Sequence, residues 1–103
     1  MKKEFLERFL FQMEELKKKS DGDAVVYDEF GVYNKVVYIE NVLLEARELI
    51  KHGEKRIALE NMLQNINEVG IVLDVDIIAL ARKAFGENIS SDIEELLDAV
   101  TCK

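Results

Sequence analysis

Apolar residues recur every three or four positions through most of the chain, which is the spacing of one face of an α-helix. In the N-terminal segment charged residues border this stripe, so the pattern predicts an amphipathic helix with one buried face. Three lysines stand in the last turn, where cations favour the negative end of the helix dipole, and the segment 20–23 ends the helix. The stripe consists of Phe5, Leu6, Phe9, Leu10, Met13 and Leu16.

The second and third predicted helices are bounded by a polar cap and by glycines. The second helix begins at about Asn34, a favoured N-cap residue, and runs to about His52. Gly53 fits the left-handed residue that closes a helix, with His52 in the last turn. The third helix runs from about 54 to 68 and is closed by Gly70.

Two further helices are predicted after a short apolar link. Asp74 is expected to cap the fourth helix, which stops at Gly86. Ser90 or Ser91 is expected to cap the last helix, and the spacing from Ser91 to Glu94 matches a capping box. These patterns together predict an all-α fold, a compact domain of four to five helices.

Residues 21–39 fit two patterns. The runs Ala24-Val25-Val26-Tyr27 and Val36-Val37-Tyr38-Ile39 are rich in β-branched and aromatic residues, so a short hairpin is one alternative. A two-stranded hairpin alone is marginal in water, however, and the apolar stripe of the second helix begins already at Val36. We therefore favour a loop, an irregular segment or a short helical turn over residues 21–33, followed by the second helix.

Length and composition suit a single domain over residues 1–103, because the chain has no repeat and no Pro-, Gly- or Ser-rich linker. Hydrophobic residues make up 49% and charged residues 34%, as in ordinary folded proteins. No apolar run approaches the roughly 20 residues that span a bilayer. The N-terminus lacks the apolar stretch of a signal peptide. We therefore expect a cytoplasmic protein that does not contact a membrane.

Residues that catalyse reactions or hold metals are scarce. The one histidine, His52, stands at a helix end, and the sequence places no nucleophile beside it. The one cysteine, Cys102, follows acidic residues, which disfavour a reactive thiolate. Asp21 and Asp23 resemble the start of a calcium loop, but valines occupy its later ligand positions. The sequence therefore predicts no enzyme, no cofactor and no metal site.

The charge distribution points to a protein partner. The net charge of −7 argues against a broad nucleic-acid-binding surface. Residues 20–50 hold seven acidic and two basic side chains, and tyrosines stand among them. Tyrosine offers a large rigid contact area with a polar tip, although these aromatics can alternatively fold back on the core. The predicted partner contacts are Asp21, Asp23, Tyr27, Asp28, Glu29, Tyr33 and Glu40, and the competing acidic surface on the last helix holds Glu94, Glu95 and Asp98.

Three motifs occupy the stretch from Ala46 to about Phe85. They are Ala46-Arg47-Glu48-Leu49-Ile50-Lys51-His52-Gly53-Glu54, then Ala58-Leu59-Glu60-Asn61-Met62-Leu63, then Gly70-Ile71-Val72-Leu73. This stretch resembles the MafI-type immunity proteins, which are small acidic bacterial proteins encoded beside polymorphic toxins. Those toxins include the ones of contact-dependent growth inhibition systems.

The resemblance implies a cytoplasmic helical protein that binds one toxin domain and blocks its active site. Such toxins are frequently nucleases of the RNase or tRNase type, and acidic groups inserted into a basic cleft would mimic phosphate. The expected partner is therefore a basic toxin domain. The alternative, from another class, is a helical adaptor or regulatory subunit that acts through an apolar groove, including as a homodimer. Its support is the hydrophobic content of the chain together with Val25, Val26, Val36 and Val37, more apolar surface than a small core is expected to bury.

Overall fold

The structure, a computed structural model, describes residues 1–87 and 89–103. The described residues form five helices and one two-stranded antiparallel sheet, which confirms a compact, mostly helical domain. In chain order the elements are α1 (Lys3–Lys19), β1 (Val25–Asp28), β2 (Gly31–Asn34), α2 (Lys35–Lys51), α3 (Lys55–Glu68), α4 (Val75–Phe85) and α5 (Ser91–Ala99).

The helices pack around one apolar core. Helix α1 contacts α2 and α4, and α3 contacts α2 and α5. Every helix contributes fully buried side chains, for example Phe9 from α1, Leu43 from α2, Leu59 from α3, Ala81 from α4 and Leu97 from α5. Burial of one such large side chain contributes about 1.5–3 kcal/mol, so the apolar faces rather than helix propensity hold the bundle together.

The helix ends follow the predicted caps with two exceptions. The Asn34 side chain accepts a hydrogen bond from the Val37 N–H at 3.0 Å, so Asn34 is the N-cap of α2. Asp74 occupies the N-cap position of α4, and its backbone carbonyl accepts hydrogen bonds from the Ile77 and Ile78 N–H groups. Its carboxylate, however, makes no capping bond to a described residue. The Ser91–Glu94 capping box is wrong, because Ser90 is the cap of α5 and accepts from the Ile93 N–H.

Residues 25–34 form a β-hairpin, which confirms the short hairpin that was one alternative within 21–39 and makes the favoured loop or helical turn over 21–33 wrong. Val26 pairs with Tyr33 and Tyr27 with Val32 across the two strands. The argument from the instability of isolated hairpins does not apply here, because the inner face of this hairpin packs on α2 and Val26 is buried. The second run of β-branched and aromatic residues, 36–39, is not a strand of the hairpin but belongs to α2.

The apolar link between α3 and α4 lies over the core. Ile71 and Leu73 are buried, whereas Val72 between them is exposed. The Leu73 N–H donates to the Val100 carbonyl at 2.7 Å, and the Cys102 N–H donates to the Leu73 carbonyl at 2.8 Å. These two bonds fasten the C-terminal end of the chain to the link.

Candidate protein-binding surface

The hairpin turn is held by one carboxylate. Asp28 Oδ1 accepts hydrogen bonds from the Phe30 N–H at 2.8 Å, the Gly31 N–H at 3.1 Å and the Tyr33 hydroxyl at 3.2 Å. Asp side chains commonly accept from backbone N–H groups two residues on, which is why this residue type suits a turn. Asp28 therefore shapes the turn and presents Glu29 and Phe30 at its tip.

The outer face of the hairpin is apolar and exposed. Side chains alternate between the two faces of a strand, so Val25 and Tyr27 of β1 lie on the same side as Val32 of β2. Their exposed fractions are 62% for Val25, 71% for Tyr27 and 70% for Val32, and Phe30 at the tip is 83% exposed. We call these four residues the hairpin face. Apolar side chains that are exposed together commonly mark an interaction site, whereas single ones need no explanation.

The inner face of the hairpin anchors it to the helices. Tyr33 is half-buried, and its ring lies 5.5 Å from the ring of Tyr38, centroid to centroid. The Tyr38 hydroxyl donates to the Asn65 carbonyl of α3 at 3.0 Å. Burial raises the pKa of both tyrosines, and the hydrogen bond to Asp28 raises the pKa of Tyr33 further. Both phenols therefore stay neutral at neutral pH. The Tyr33–Tyr38 ring contact packs the hairpin on α2, and the Tyr38 hydroxyl joins α2 to α3.

The base of the hairpin is closed by Asn34. Its Nδ2 donates to the Gly22 carbonyl at 2.7 Å, while its Oδ1 caps α2 through the Val37 N–H. The Lys35 N–H also donates to the Ala24 carbonyl at 2.8 Å. One side chain thus links the chain before β1 to the start of α2, so the hairpin is pre-ordered relative to the bundle.

The predicted acidic contacts fall into different environments. Asp21 Oδ1 accepts from the Asp23 N–H at 2.9 Å, as in an Asx turn. The carboxylates of Asp23 and Glu29 are exposed and accept no hydrogen bond from the described part of the chain. They stand near the base and at the tip of the hairpin, so these two remain free to meet a partner.

Glu40 belongs to a different cluster, between α1 and α2. It forms an ion pair with Lys17, and Lys17 also contacts Glu14 at 3.0 Å. The hydrogen bond to Glu40, followed by the one to Glu14, raises the pKa of Lys17. Arg47 contacts the other oxygen of Glu14 at 2.8 Å. The charge of Glu40 is therefore paired with Lys17 within the fold, and the structure does not bring Glu40 together with the hairpin face.

The competing acidic surface on α5 is divided between two sides of the helix. Glu94 forms an ion pair with Arg82 of α4, and Asp98 lies 3.4 Å from the Lys103 ammonium. Glu95 instead lines a groove of about 520 Å³ between α3 and α5, together with Glu60 and Asp92. No large exposed apolar side chain lines this groove, within the residues that the structure describes.

A second groove, of about 370 Å³, runs beside β1. Val25 and Tyr27 form part of one side, the link residues Val69–Val72 form the other, and Leu16 of α1 also lines it. Val72 is exposed at its rim, so the groove extends the apolar surface of the hairpin face towards the link.

Three of the four residues of the hairpin face are not among the predicted contacts. Val25, Phe30 and Val32 are absent from that set, and Tyr27 alone is common to both. The alternation of Val25, Val26 and Tyr27 is compatible with a strand, and a strand would expose every second residue. That signal could have identified Val25 with Tyr27, but it required the hairpin to be preferred over the loop.

Of the three motifs that resemble MafI-type immunity proteins, the third, Gly70-Ile71-Val72-Leu73, lines the groove beside β1, whereas no residue of the first two lines that groove. Gly53 has a φ of 81° and ends the turn between α2 and α3, whereas Ala58, Leu59, Met62 and Leu63 are fully buried. These residues shape the bundle.

Comparison of the chain with protein-family models, with curated proteins and with solved structures found no match. The resemblance to MafI-type immunity proteins accordingly stays a prediction. Across residues 1–87 and 89–103, no helix combines the length and the apolarity that crossing a membrane requires. In the same described ranges, no three His, Cys, Asp or Glu side chains gather in a way that could hold a metal ion.

Proposed function

We propose that this chain is an immunity-type inhibitor, which binds a basic toxin domain of nuclease type in the cytoplasm and performs no reaction itself. The observation that carries the proposal is the hairpin face: four apolar side chains, each more than 60% exposed, on an element that is fixed to the bundle. The exposed carboxylates of Asp23 and Glu29 flank it.

This arrangement suits tight binding for two physical reasons. Aromatic residues such as Tyr27 and Phe30 dominate binding energy at protein interfaces because they bury a large area with few rotatable bonds. The bonds of Asp28 and Asn34 order the hairpin before binding, so little conformational entropy is lost when a partner docks. A small pre-ordered tip of this kind can enter a cleft.

The acidic groups supply orientation and speed. Residues 20–35, which contain the hairpin, carry a net charge of −3, from four acidic side chains and one basic side chain. A negative patch steers a basic partner towards it and raises the association rate at low salt. In a cleft that binds nucleic acid, the Glu29 carboxylate at the hairpin tip would occupy the place of a phosphate oxygen.

The proposal predicts that a neighbouring gene encodes a secreted protein with a basic C-terminal domain, and the test uses that domain. We expect calorimetric titration to show a one-to-one complex, and we expect the chain to inhibit the toxicity of that domain in cells. Phe30→Ala should weaken binding by at least tenfold, which corresponds to about 1.4 kcal/mol. Phe11→Ala is the matched control, because Phe11 is a 58% exposed phenylalanine on α1 and should leave the affinity unchanged.

The electrostatic part of the proposal is tested at Glu29 rather than at Asp28, whose carboxylate holds the turn. Glu29→Lys should slow association at low salt and have a smaller effect at high salt, since salt screens exposed charges. Glu7→Lys on α1 changes the net charge equally and serves as the control. Equal affinity for Phe30→Ala and the unchanged chain, or no complex at all, would refute the proposed function.

A helical adaptor that forms a homodimer is the second candidate. The specific observation in its favour is that Val25 and Val37 are exposed, although Val26 is buried and Val36 half-buried. Light scattering distinguishes the two candidates without any partner. The inhibitor proposal predicts a mass of 11.9 kDa for the isolated protein, and a stable dimer would favour the adaptor.

A further inference from the structure

Strand β1 has a free edge. The Lys35 N–H donates to the Ala24 carbonyl, and Val26 pairs with Tyr33 two positions along. In an antiparallel ladder hydrogen-bonded pairs alternate with pairs whose backbone groups point outwards. The N–H and C=O groups of Val25 and Tyr27 therefore point away from β2. Within the part of the chain that the structure describes, no third strand pairs with β1 and no other backbone bond reaches these groups.

A groove lies beside this edge of β1, and among the described residues no helix or strand covers it. It is the 370 Å³ groove that Leu16 and the link Val69–Val72 line opposite β1. A strand rises about 3.3 Å per residue, so the four residues of β1 offer an edge of about 13 Å. An exposed strand edge of this kind pairs readily with an extended chain.

Resting on the function proposed above, we infer that an extended segment of the toxin domain adds to β1 as a third strand. The segment lies in the groove between β1 and the link. Backbone hydrogen bonds to Val25 and Tyr27 hold it, and its alternate side chains pack against the hairpin face and against the groove.

The charges at the ends of β1 select a basic segment. Asp23 stands before the strand, and Asp28 and Glu29 stand at its far end. One basic residue, Lys35, is among the residues that line the groove. A partner strand with Lys or Arg at both ends would meet these carboxylates. The expected sequence is therefore about four residues with an apolar side chain at every second position, flanked by basic residues.

The same charges disfavour a second copy of this chain as the occupant. Antiparallel pairing of two β1 strands would place Asp23 of one copy beside the Asp28–Glu29 end of the other, and parallel pairing would place identical acids together. Like charges on facing strand positions are destabilising. Each copy also carries a net charge of −7, which opposes association at low salt.

A pair of proline substitutions tests the inference. Val25→Pro removes an N–H from the free edge of β1, and Val32→Pro removes the corresponding outward N–H of β2. Both residues are exposed valines on the same face, and proline is tolerated at strand edges, so both variants should keep the hairpin. Val25→Thr and Val32→Thr are the controls, because each changes the valine side chain but keeps the backbone N–H. Thermal unfolding and amide spectra verify that each variant is folded.

We expect Val25→Pro to weaken binding of the toxin domain at least tenfold more than Val25→Thr does, and Val32→Pro to stay within threefold of Val32→Thr. Hydrogen exchange on the unmodified complex is the second measurement, and it needs no variant. The amides of Val25 and Tyr27 should become protected on binding, whereas the amide of Val32 should not.

The outcomes separate the two proposals. A tight complex in which Val25 and Tyr27 gain no protection would overturn strand addition and leave the proposed function standing. Protection of these amides in the isolated protein at high concentration, together with a dimeric mass, would overturn it in favour of a second copy. Absence of any complex would refute the proposed function and, with it, this inference.

Discussion

Asn34 is the residue on which the position of the hairpin depends, and replacing it by alanine should both destabilise the fold and loosen the hairpin. Two interactions are lost. The first is the N-cap bond to the Val37 N–H at 3.0 Å, and the second is the bond from Nδ2 to the Gly22 carbonyl at 2.7 Å. Loss of an N-cap costs about 1 kcal/mol, and a net side-chain hydrogen bond contributes about another 1 kcal/mol. We therefore expect Asn34→Ala to lower the free energy of unfolding by about 2 kcal/mol.

Two controls separate the components. Asn34→Ser retains a capping oxygen but has no amide to reach Gly22, so it should lose only about 1 kcal/mol. Ser90→Ala removes the cap of α5 alone, whose oxygen lies 3.3 Å from the Ile93 N–H, and should also lose about 1 kcal/mol. Urea unfolding with an unchanged slope measures each value. For a domain of this size each kcal/mol also lowers the melting temperature by roughly 4–8 °C.

The result that would refute this reasoning is an Asn34→Ala variant no less stable than Ser90→Ala, with Asn34→Ser as stable as the unchanged chain. The bond to Gly22 would then contribute nothing, and the hairpin would be ordered by its inner face alone. Binding adds a second readout. If a pre-ordered hairpin matters for recognition, Asn34→Ala should weaken the toxin complex even where the fraction of folded protein is the same.

Two further predictions concern the core and the pH dependence of stability. Leu43→Ala should lower the free energy of unfolding by about 2–5 kcal/mol because Leu43 is fully buried. Leu44→Ala should change it by no more than about 0.5 kcal/mol, because the neighbouring Leu44 is exposed. Similar losses for the two variants in urea unfolding would contradict the packing described for α2. The hydrogen bond from Lys17, followed by that from Arg47, holds the pKa of Glu14 below its ordinary value of 4.5. A lowered folded-state pKa means that ionised Glu14 stabilises the fold above about pH 4.5 and that this contribution is lost as the pH falls further, so Glu14→Gln should show a shallower acid destabilisation. Parallel pH profiles of the two proteins would contradict this assignment.

The helices could be predicted because their signals are local. In α3, for example, Leu59, Met62, Leu63 and Ile66 follow the helical spacing, and all four are fully buried. Asn34 was identifiable as a cap since its residue type and the following apolar stripe point to the same helix start. The cap of α5 was harder, because Ser90 and Ser91 are adjacent and both precede a suitable helix, and only the packing of Ile93 and Leu97 selects one register.

The hairpin was beyond local reasoning because its stability comes from elsewhere in the chain. Val26 and Tyr33 stabilise a strand only once α2 and the core provide the surface on which they pack. The fates of Tyr27 and Tyr33 illustrate the point. Both are tyrosines of the acidic stretch 20–50, yet Tyr27 is exposed, whereas Tyr33 is half-buried and bonded to Asp28. Composition could select the region for recognition, but strand register decides which aromatic faces solvent.

The same limit applies to the acids. Asp28 and Glu29 are neighbours with the same charge, and the sequence assigns them one role. In the fold Asp28 is committed to the turn, whereas Glu29 is exposed at the tip. Glu40 lies only eleven positions further along but is paired with Lys17 of α1, a contact 23 positions away in the sequence. Such long-range partners determine which carboxylates a second protein can reach.

The most direct measurement of the central claim is a titration of the isotopically labelled chain with the proposed partner, a basic toxin domain, followed by backbone amide resonances. If the hairpin is the binding surface, the largest shifts will fall on residues 23–33 and on the link at Val69–Val72. Shifts confined to the groove that Glu60, Asp92 and Glu95 line would contradict the account, because they would place the partner on the α3–α5 side and leave the hairpin face without a role.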